Sequence, residues 1–123
     1  MKVVLLMLMF LVSCNQNTSV AEEKTTTTTL QAETQWTQGP VAYDESVVEI
    51  YLPTLEESDL VEAQLWMPSM NHGSSPIKVV RLGAQMVRLE SVYFIMPGDW
   101  ELRLVIKNQQ GEIKNRKVWQ FDL

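Results

Sequence analysis

The strongest constraint on the fold is a stretch near the C-terminus, residues 100–107, in which apolar residues recur at every second position. These apolar positions are Trp100, Leu102, Leu104 and Ile106. Three of the four positions between and after them are charged: Glu101, Arg103 and Lys107. A period of two places alternate side chains on opposite faces of a β-strand. The stretch is therefore predicted to be a strand with one face in the core.

Further short segments with strand character are separated by Gly, Pro and Asn turn signals. They are residues 47–52, 61–67, 77–82, 86–95 and 119–123. Turns are predicted at Gly83-Ala84 and over residues 108–111. Many short strands with regular turn signals are typical of sandwiches and not of βα units. The predicted fold is all-β, a single immunoglobulin-like antiparallel β-sandwich of about seven strands over residues 36–123.

One acidic segment, residues 53–60, separates two of the predicted strands. It contains Glu56, Glu57 and Asp59, and it is too short for more than one helical turn. A run of carboxylates is usually a solvated surface. The segment is predicted to be a solvated loop, with a cation site as the alternative.

The N-terminus carries Lys2, an apolar run over residues 3–12, and Ser13 immediately before Cys14. A membrane-spanning helix needs about 20 apolar residues, whereas a shorter run behind a basic residue is typical of a secretory signal peptide. The sequence Leu-Val-Ser-Cys at residues 11–14 resembles the bacterial lipobox, which implies cleavage before Cys14 and acylation of its thiol. The alternative is an ordinary signal peptide with a chance cysteine.

The segment after Cys14 is polar, includes five consecutive threonines at residues 25–29 and shows no periodicity. Such a segment buries too little apolar surface to offset its ordering entropy. We expect a signal peptide over residues 1–13, then lipidated Cys14 and a flexible tether over residues 14–35. The chain would then be anchored in the cell envelope facing the periplasm. Asn15 stands where aspartate is associated with inner-membrane retention in some bacteria, which slightly favours the outer membrane.

No catalytic residues are predicted, and the protein is not expected to be an enzyme. The only histidine is His72, and no nucleophile elbow surrounds the serines near it. The paired carboxylates Glu56/Glu57 and Asp99/Glu101 are interpreted as solvated surface. Phosphate-loop glycine spacing and clusters of basic and aromatic residues are absent from the sequence, which argues against nucleotides and nucleic acids as ligands. A small-molecule substrate is not predicted either.

Soft metal donors concentrate in residues 66–73, Trp-Met-Pro-Ser-Met-Asn-His-Gly, which contain Met67, Met70 and His72. Thioethers and imidazole suit Cu(I), whereas the usual cysteine, histidine and carboxylate ligand sets of zinc are missing. A second methionine turn lies at residues 96–99, Met-Pro-Gly-Asp. If successive strands alternate in direction, both turns lie at one end of the sandwich. The candidate metal ligands are therefore Met67, Met70, His72 and Met96.

The same two motifs, together with Pro76, Tyr93 and Trp-Glu-Leu at residues 100–102, resemble the YtkA-like and FixH-like family of small envelope β-sandwich domains. The resemblance covers residues 39–123. FixH-like members are associated with copper delivery to haem–copper oxidases, which implies a copper role for Met67, Met70, His72 and Met96 here. This chain departs from the FixH-like pattern because it carries a predicted lipid anchor in place of a transmembrane helix.

Two hypotheses follow from these patterns. In the first, the domain binds Cu(I) as a carrier or buffer and exchanges it with an envelope protein. In the second, it is a metal-free immunoglobulin-like interaction module in which Trp36 or Trp66 forms part of a protein-binding surface. Under the second hypothesis Met67 ends a core strand, Met70 packs under the loop, and His72 and Gly73 make a turn.

Overall fold

The computed structural model describes residues 30–123, which form eight β-strands and one short 3₁₀ helix. The strands are β1 (Glu33–Gln38), β2 (Ser46–Tyr51), β3 (Leu60–Met67), β4 (His72–Gly73), β5 (Lys78–Arg81), β6 (Met86–Val92), β7 (Asp99–Lys107) and β8 (Ile113–Asp122). The 3₁₀ helix, Pro68–Met70, lies between β3 and β4. Within this part of the chain no helix is long and apolar enough to cross a membrane.

The strands form two four-stranded sheets, and every strand pair is antiparallel. The first sheet has the order β1-β2-β6-β5, and the second has the order β4-β3-β7-β8. Without the short strand β4, the seven remaining strands have the constant-type immunoglobulin arrangement. In that arrangement the first, second, fifth and fourth strands form one sheet, and the third, sixth and seventh form the other. The strand β4 is added at the edge of the second sheet, next to β3. The predicted all-β sandwich is confirmed, with eight strands where about seven were predicted.

The core lies between the inner faces of the two sheets. In β7 the four apolar positions of the alternating stretch are all buried, as the period of two predicted. Val48 and Ile50 from β2 and Leu65 and Met67 from β3 are buried with them. Three aromatic rings, Trp36, Phe94 and Phe121, meet in tilted and edge-to-face geometry with centroids 5.4–6.2 Å apart. Such contacts fix the relative position of the two sheets at one end.

The sandwich begins earlier in the chain than residue 36. Leu30 is buried in the core, and β1 starts at Glu33, which pairs with Tyr51. Apart from Ala32 the residues around Leu30 are polar, so the alternation is too short to assign this segment to the fold from the sequence. Residues 30–35 therefore belong to the sandwich and not to the tether, whereas residues 1–29 lie outside the described part.

Strand direction defines the two ends of the sandwich. The last residues of β3 pair with the first of β7, and Ser46 at the start of β2 pairs with Val92 at the end of β6. Residues 39–45, 68–77 and 93–98 and the end of β8 therefore lie at one end, which we call the distal pole. The chain enters the described domain at Leu30, at the opposite end, because Glu33 pairs with Tyr51 at the end of β2.

Candidate functional site

The methionine–histidine segment forms a tight hairpin at the distal pole. Pro68 occupies the first turn of the 3₁₀ helix, where its missing N–H costs nothing. Asn71 ends the helix with a φ of 50°, a left-handed conformation that asparagine tolerates, and its N–H donates to the carbonyl of Pro68 at 3.2 Å. The chain then returns along β3, so that Met67 pairs with His72. The suggested turn at His72 and Gly73 is instead the short strand β4.

Met67 and His72 are directly opposite cross-strand partners, so their side chains lie on the same face of the hairpin. The side chain of Met67 is 2 % exposed and belongs to the core, whereas His72 is half-buried at its rim. The imidazole of His72 lies edge-to-face against the buried ring of Trp100, with centroids 6.2 Å apart. The inward side of this hairpin therefore carries one thioether and one imidazole beside an indole.

A hydrogen bond at His72 determines which ring nitrogen can bind a metal. Nδ1 lies 2.9 Å from the carbonyl oxygen of Gly73. Because a carbonyl oxygen only accepts, Nδ1 is the protonated donor, and in the neutral ring Nε2 keeps its lone pair. Histidines that bind metals commonly donate their other N–H to a carbonyl in this way. In this tautomer Nε2 is the ring nitrogen of His72 that is available to a metal.

The second methionine turn lies against the first, as strand parity predicted. A Cβ built on Gly98 would come within 2.7 Å of the terminal methyl of Met67, so the two turns touch. The indole N–H of Trp100 donates to the carbonyl of Met96 at 2.9 Å, which fixes the backbone of this turn. The side chain of Met96 is half-buried and packs against the core.

Met70 stands apart from the other three candidate ligands. Its side chain is 56 % exposed on the 3₁₀ helix, so it does not pack under the loop. The neighbouring Ser69 hydroxyl donates to the carboxylate of Asp99, which ties this loop to the start of β7. The structure therefore brings Met67 and His72 together, with the Met96 turn adjoining them, and leaves the Met70 side chain exposed at the surface.

The two tryptophans proposed as parts of a binding surface have different surroundings. Trp36 is half-buried against Phe94 and Phe121, so its ring is used in packing between the sheets. Trp66 faces outward from β3, and the guanidinium of Arg103 lies 5.0 Å from its ring centroid. Arg103 is itself paired with Glu101 at 2.7 Å. Trp66, unlike Trp36, therefore lies on the outer face of a sheet.

The acidic loop between β2 and β3 is not a purely solvated surface. Asp59 is only 4 % exposed and accepts hydrogen bonds from the amine of Lys114 at 2.8 and 2.9 Å and from the N–H of Glu56 at 2.9 Å. The guanidinium of Arg81 donates to carbonyl oxygens of this loop, that of Asp59 among them. The prediction of a solvated loop is therefore wrong at Asp59, because Lys114 and Arg81 allow a charge to be buried there.

Two opposed effects act on the pKa of the Asp59 carboxyl. Burial acts to raise the pKa of this carboxyl, but the hydrogen bonds from Lys114 and the Glu56 N–H outweigh it and lower the pKa below its ordinary value. The hydrogen bond from the Lys114 amine to Asp59 raises the pKa of Lys114 in turn. Sequence reasoning missed this pair because its members are separated by 55 residues.

Among residues 30–123 no group of three or more His, Cys, Asp or Glu side chains is placed to hold a metal ion. Cys14, the predicted lipidation site, lies outside the described residues. No family model, no curated protein and no solved structure matches this chain. The resemblance to YtkA-like and FixH-like domains therefore stays a prediction.

Proposed function

We propose that this protein is a lipid-anchored envelope protein whose β-sandwich binds Cu(I) at the distal pole, as a carrier or buffer of the ion. The observation that carries the proposal is the arrangement at His72. Its Nδ1–H is bound to the Gly73 carbonyl, its Nε2 keeps a lone pair, and Met67 is its direct cross-strand partner. One imidazole and one thioether on the same face supply two soft donors.

The chemistry of the donors favours Cu(I) over harder ions. Thioethers are neutral, polarisable ligands that select soft cations, and imidazole binds copper readily. His72 and Met67 would hold the ion from the core side, and Met70 and Met96 are the thioethers available to complete the site. The half-buried position of His72 against Trp100 restricts its rotation, so the imidazole requires little reordering on binding.

Anchoring through Cys14 follows from the lipobox resemblance and is part of the proposal. Acyl chains contribute membrane affinity of about 0.8 kcal/mol per buried CH₂, so acylation would hold the domain at a membrane surface. Cleavage before Cys14 and acylation together give the mature chain a defined mass. Intact mass spectrometry of the chain purified from a bacterial membrane fraction tests this, and an unmodified Cys14 in that fraction would exclude the anchor.

The copper proposal is tested by anaerobic Cu(I) titration of the full chain in a non-ionic detergent, in competition with a chromogenic chelator. All proteins carry Cys14→Ser, because a free thiolate would itself bind Cu(I). We expect one equivalent to bind with sub-micromolar affinity. Met70→Leu and His72→Gln should each weaken binding by at least about tenfold, since even residues that only support a metal ligand commonly contribute about 10–100-fold.

Two further variants test whether the loss of Cu(I) affinity is specific and whether Met67 is a ligand. Met86→Leu is the matched control, because Met86 is also exposed but begins β6 at the end away from the distal pole. Its affinity for Cu(I) should equal that of the parent. Met67→Leu conserves core volume and removes the buried sulfur, so it reports whether Met67 acts as a ligand. A parent chain that fails to compete with the chelator would exclude the copper function.

A second candidate function is a metal-free protein-interaction module. It is favoured by the outer face of the second sheet, where Trp66, Arg103 and Glu101 form a stacked and ion-paired row. Tryptophan and arginine are the residue types that most often dominate binding energy at protein interfaces. If Cu(I) does not bind, this row is the surface to mutate first in a search for an envelope partner.

A further inference from the structure

We propose that the distal pole is also a docking surface for a basic protein partner. The surface consists of Val41, Tyr43, Tyr93 and Ile95, which we call the bridge patch, and of the carboxylates around it. The docking itself does not need copper; its purpose, exchange of Cu(I) with the partner, rests on the proposed function. Three features of the pole support this docking surface: exposed apolar area, the conformation of Tyr43 and the sign of the surrounding charge.

The bridge patch lies where the segment between β1 and β2 contacts the segment between β6 and β7. Ala42 forms an isolated parallel bridge with Phe94, and the N–H of Tyr43 donates to the carbonyl of Phe94 at 2.8 Å. Phe94 is buried beneath this bridge, whereas the residues on either side of it are exposed. Their exposed fractions are 41 % for Val41, 75 % for Tyr43, 37 % for Tyr93 and 43 % for Ile95. Four large apolar side chains thus surround one small area of surface.

Tyr43 is held in a conformation that tyrosine rarely adopts. Its φ is 69°, in the left-handed region, where a Cβ-bearing side chain other than asparagine or aspartate is disfavoured. Backbone strain of this kind persists only where surrounding contacts impose it, and it concentrates at functional sites. Here the bridge to Phe94 imposes it, and the result is an aromatic ring directed away from the core. Aromatic residues presented in this way are common anchors in protein interfaces.

The charges around the bridge patch are of one sign. The distal pole carries four carboxylates: Asp44 and Glu45 beside Tyr43, and Asp99 and Asp122, which pair at the end of the second sheet. Residues 39–47, 64–77, 91–100 and 118–123, which make up the distal pole and its approaches, contain no lysine or arginine. Of the basic residues near these ranges, Lys78 is paired with Glu90 at 3.4 Å and Arg103 with Glu101. Lys117, which precedes residue 118, lies beside Leu30 and Tyr51 at the chain-entry end.

A negative surface with an apolar centre fits a partner with a basic rim. Complementary charge speeds association and disfavours partners of like charge. Two copies of this chain docked pole to pole would bring like charges together, and anionic lipid headgroups would be repelled in the same way. The occupant that these observations favour is therefore a protein surface rich in lysine or arginine.

The bridge patch adjoins the proposed copper ligands and lies far from the chain entry. The hydroxyl of Ser74, two residues after His72, donates to the carbonyl of Tyr93, and Met96 follows Ile95 directly. Leu30 enters at the opposite end, and the nine residues of β7 between the two ends span about 30 Å at ~3.3 Å per residue. A partner on the patch would therefore contact the Met67–His72 hairpin and the Met96 turn, at the end of the domain opposite Leu30.

The test uses the copper-free full chain with Cys14→Ser, in non-ionic detergent, and two fluorescein-labelled peptides. Both contain one Trp, one Met and one His, and they differ only in carrying four Lys or four Glu. Fluorescence anisotropy at low salt should show binding of the Lys peptide at least about tenfold tighter than that of the Glu peptide. Tyr43→Asn with Ile95→Ser should weaken the Lys peptide about tenfold, since exposed apolar anchors carry much of such binding.

Asparagine is chosen at position 43 because it tolerates the left-handed φ, so the fold is preserved, and circular dichroism checks this. Asp44→Asn with Asp122→Asn should also weaken the Lys peptide severalfold. The control removes similar groups from the opposite end, with Leu82→Ser, Glu57→Gln and Glu112→Gln, and should leave the affinity unchanged within about twofold. Equal losses in pole and control variants, or equal affinity for both peptides, would overturn the proposal. The measurement is made without copper, so its outcome is independent of the Cu(I) titration.

Discussion

At the residue scale, the surroundings of a side chain decide its role more than its type does. Met67 and Met70 are three positions apart, yet one is enclosed in the core and the other stands in solvent. Strand parity was sufficient to predict that Met67 points inward. It could not predict the exposure of Met70, because that depends on the 3₁₀ helix started by Pro68 and ended by Asn71.

The absence of a side chain at Gly98 allows the Met96 turn to pack against Met67. Its φ of 141° is a conformation that residues with a Cβ rarely adopt, and an added Cβ would overlap the methyl of Met67. We expect Gly98→Ala to lower the free energy of unfolding by about 1–3 kcal/mol, from backbone strain and overpacking together. Urea denaturation of the parent and variant measures this.

Gly83→Ala is the matched control for Gly98→Ala, because nothing lies within 4 Å of the position a Cβ would take there. It should leave the urea midpoint almost unchanged. Combining Gly98→Ala with Met67→Ala removes the overlap, so the two destabilisations should sum to more than the double variant shows. Strict additivity would indicate that the Met67 methyl does not limit residue 98.

At the element scale, the sequence predicted the strands with a clear inner face and missed those without one. The period of two located β3 and β7 to within one residue at each end. The strand β4 has only two residues, and β1 reads Glu-Thr-Gln-Trp-Thr-Gln, so neither carries an apolar alternation. Their place in the sheets is set by tertiary pairing, which a local pattern does not encode.

The contact between the acidic loop and β8 gives a pH-dependent prediction. Because the pKa of Asp59 is lowered in the folded protein, its contribution to stability is present above its ordinary pKa of 3.8 and is lost as pH falls through the lower folded value. Asp59→Asn should reduce the free energy of unfolding at pH 7 by about 1 kcal/mol or more, the difference between charged and neutral hydrogen bonds.

Urea midpoints of the parent and Asp59→Asn, taken between pH 7 and pH 2, should converge in acid. The exposed neighbour Glu57 provides the control, since Glu57→Gln should run parallel to the parent throughout. A difference between the parent and Asp59→Asn that persists undiminished at pH 2 would show that the pair with Lys114 does not depend on the charge of Asp59.

At the scale of the whole molecule, the two sheets enclose a core that starts at the first described residue. Leu30 is buried, and Glu33, Thr34 and Gln35 pair with β2. A chain that starts at residue 36 should therefore unfold at lower urea than one that starts at residue 30. The expected loss is about 2 kcal/mol or more, because burial of one leucine contributes about 1.5–3 kcal/mol. Equal midpoints would instead place the start of the stable domain near Trp36.

The opposite placement of the chain entry and the distal pole separates two kinds of evolutionary change. Under the proposed lipid anchoring, insertions or deletions before Leu30 would change the length of the attachment and leave the distal pole unchanged. Substitutions at the pole would in turn leave the proposed attachment unchanged. Under that proposal, selection can adjust the length of the attachment and the docking surface independently. Immobilisation of the protein on a sensor surface is best made on the N-terminal side of Leu30, because Leu30 and the pole lie at opposite ends of the domain.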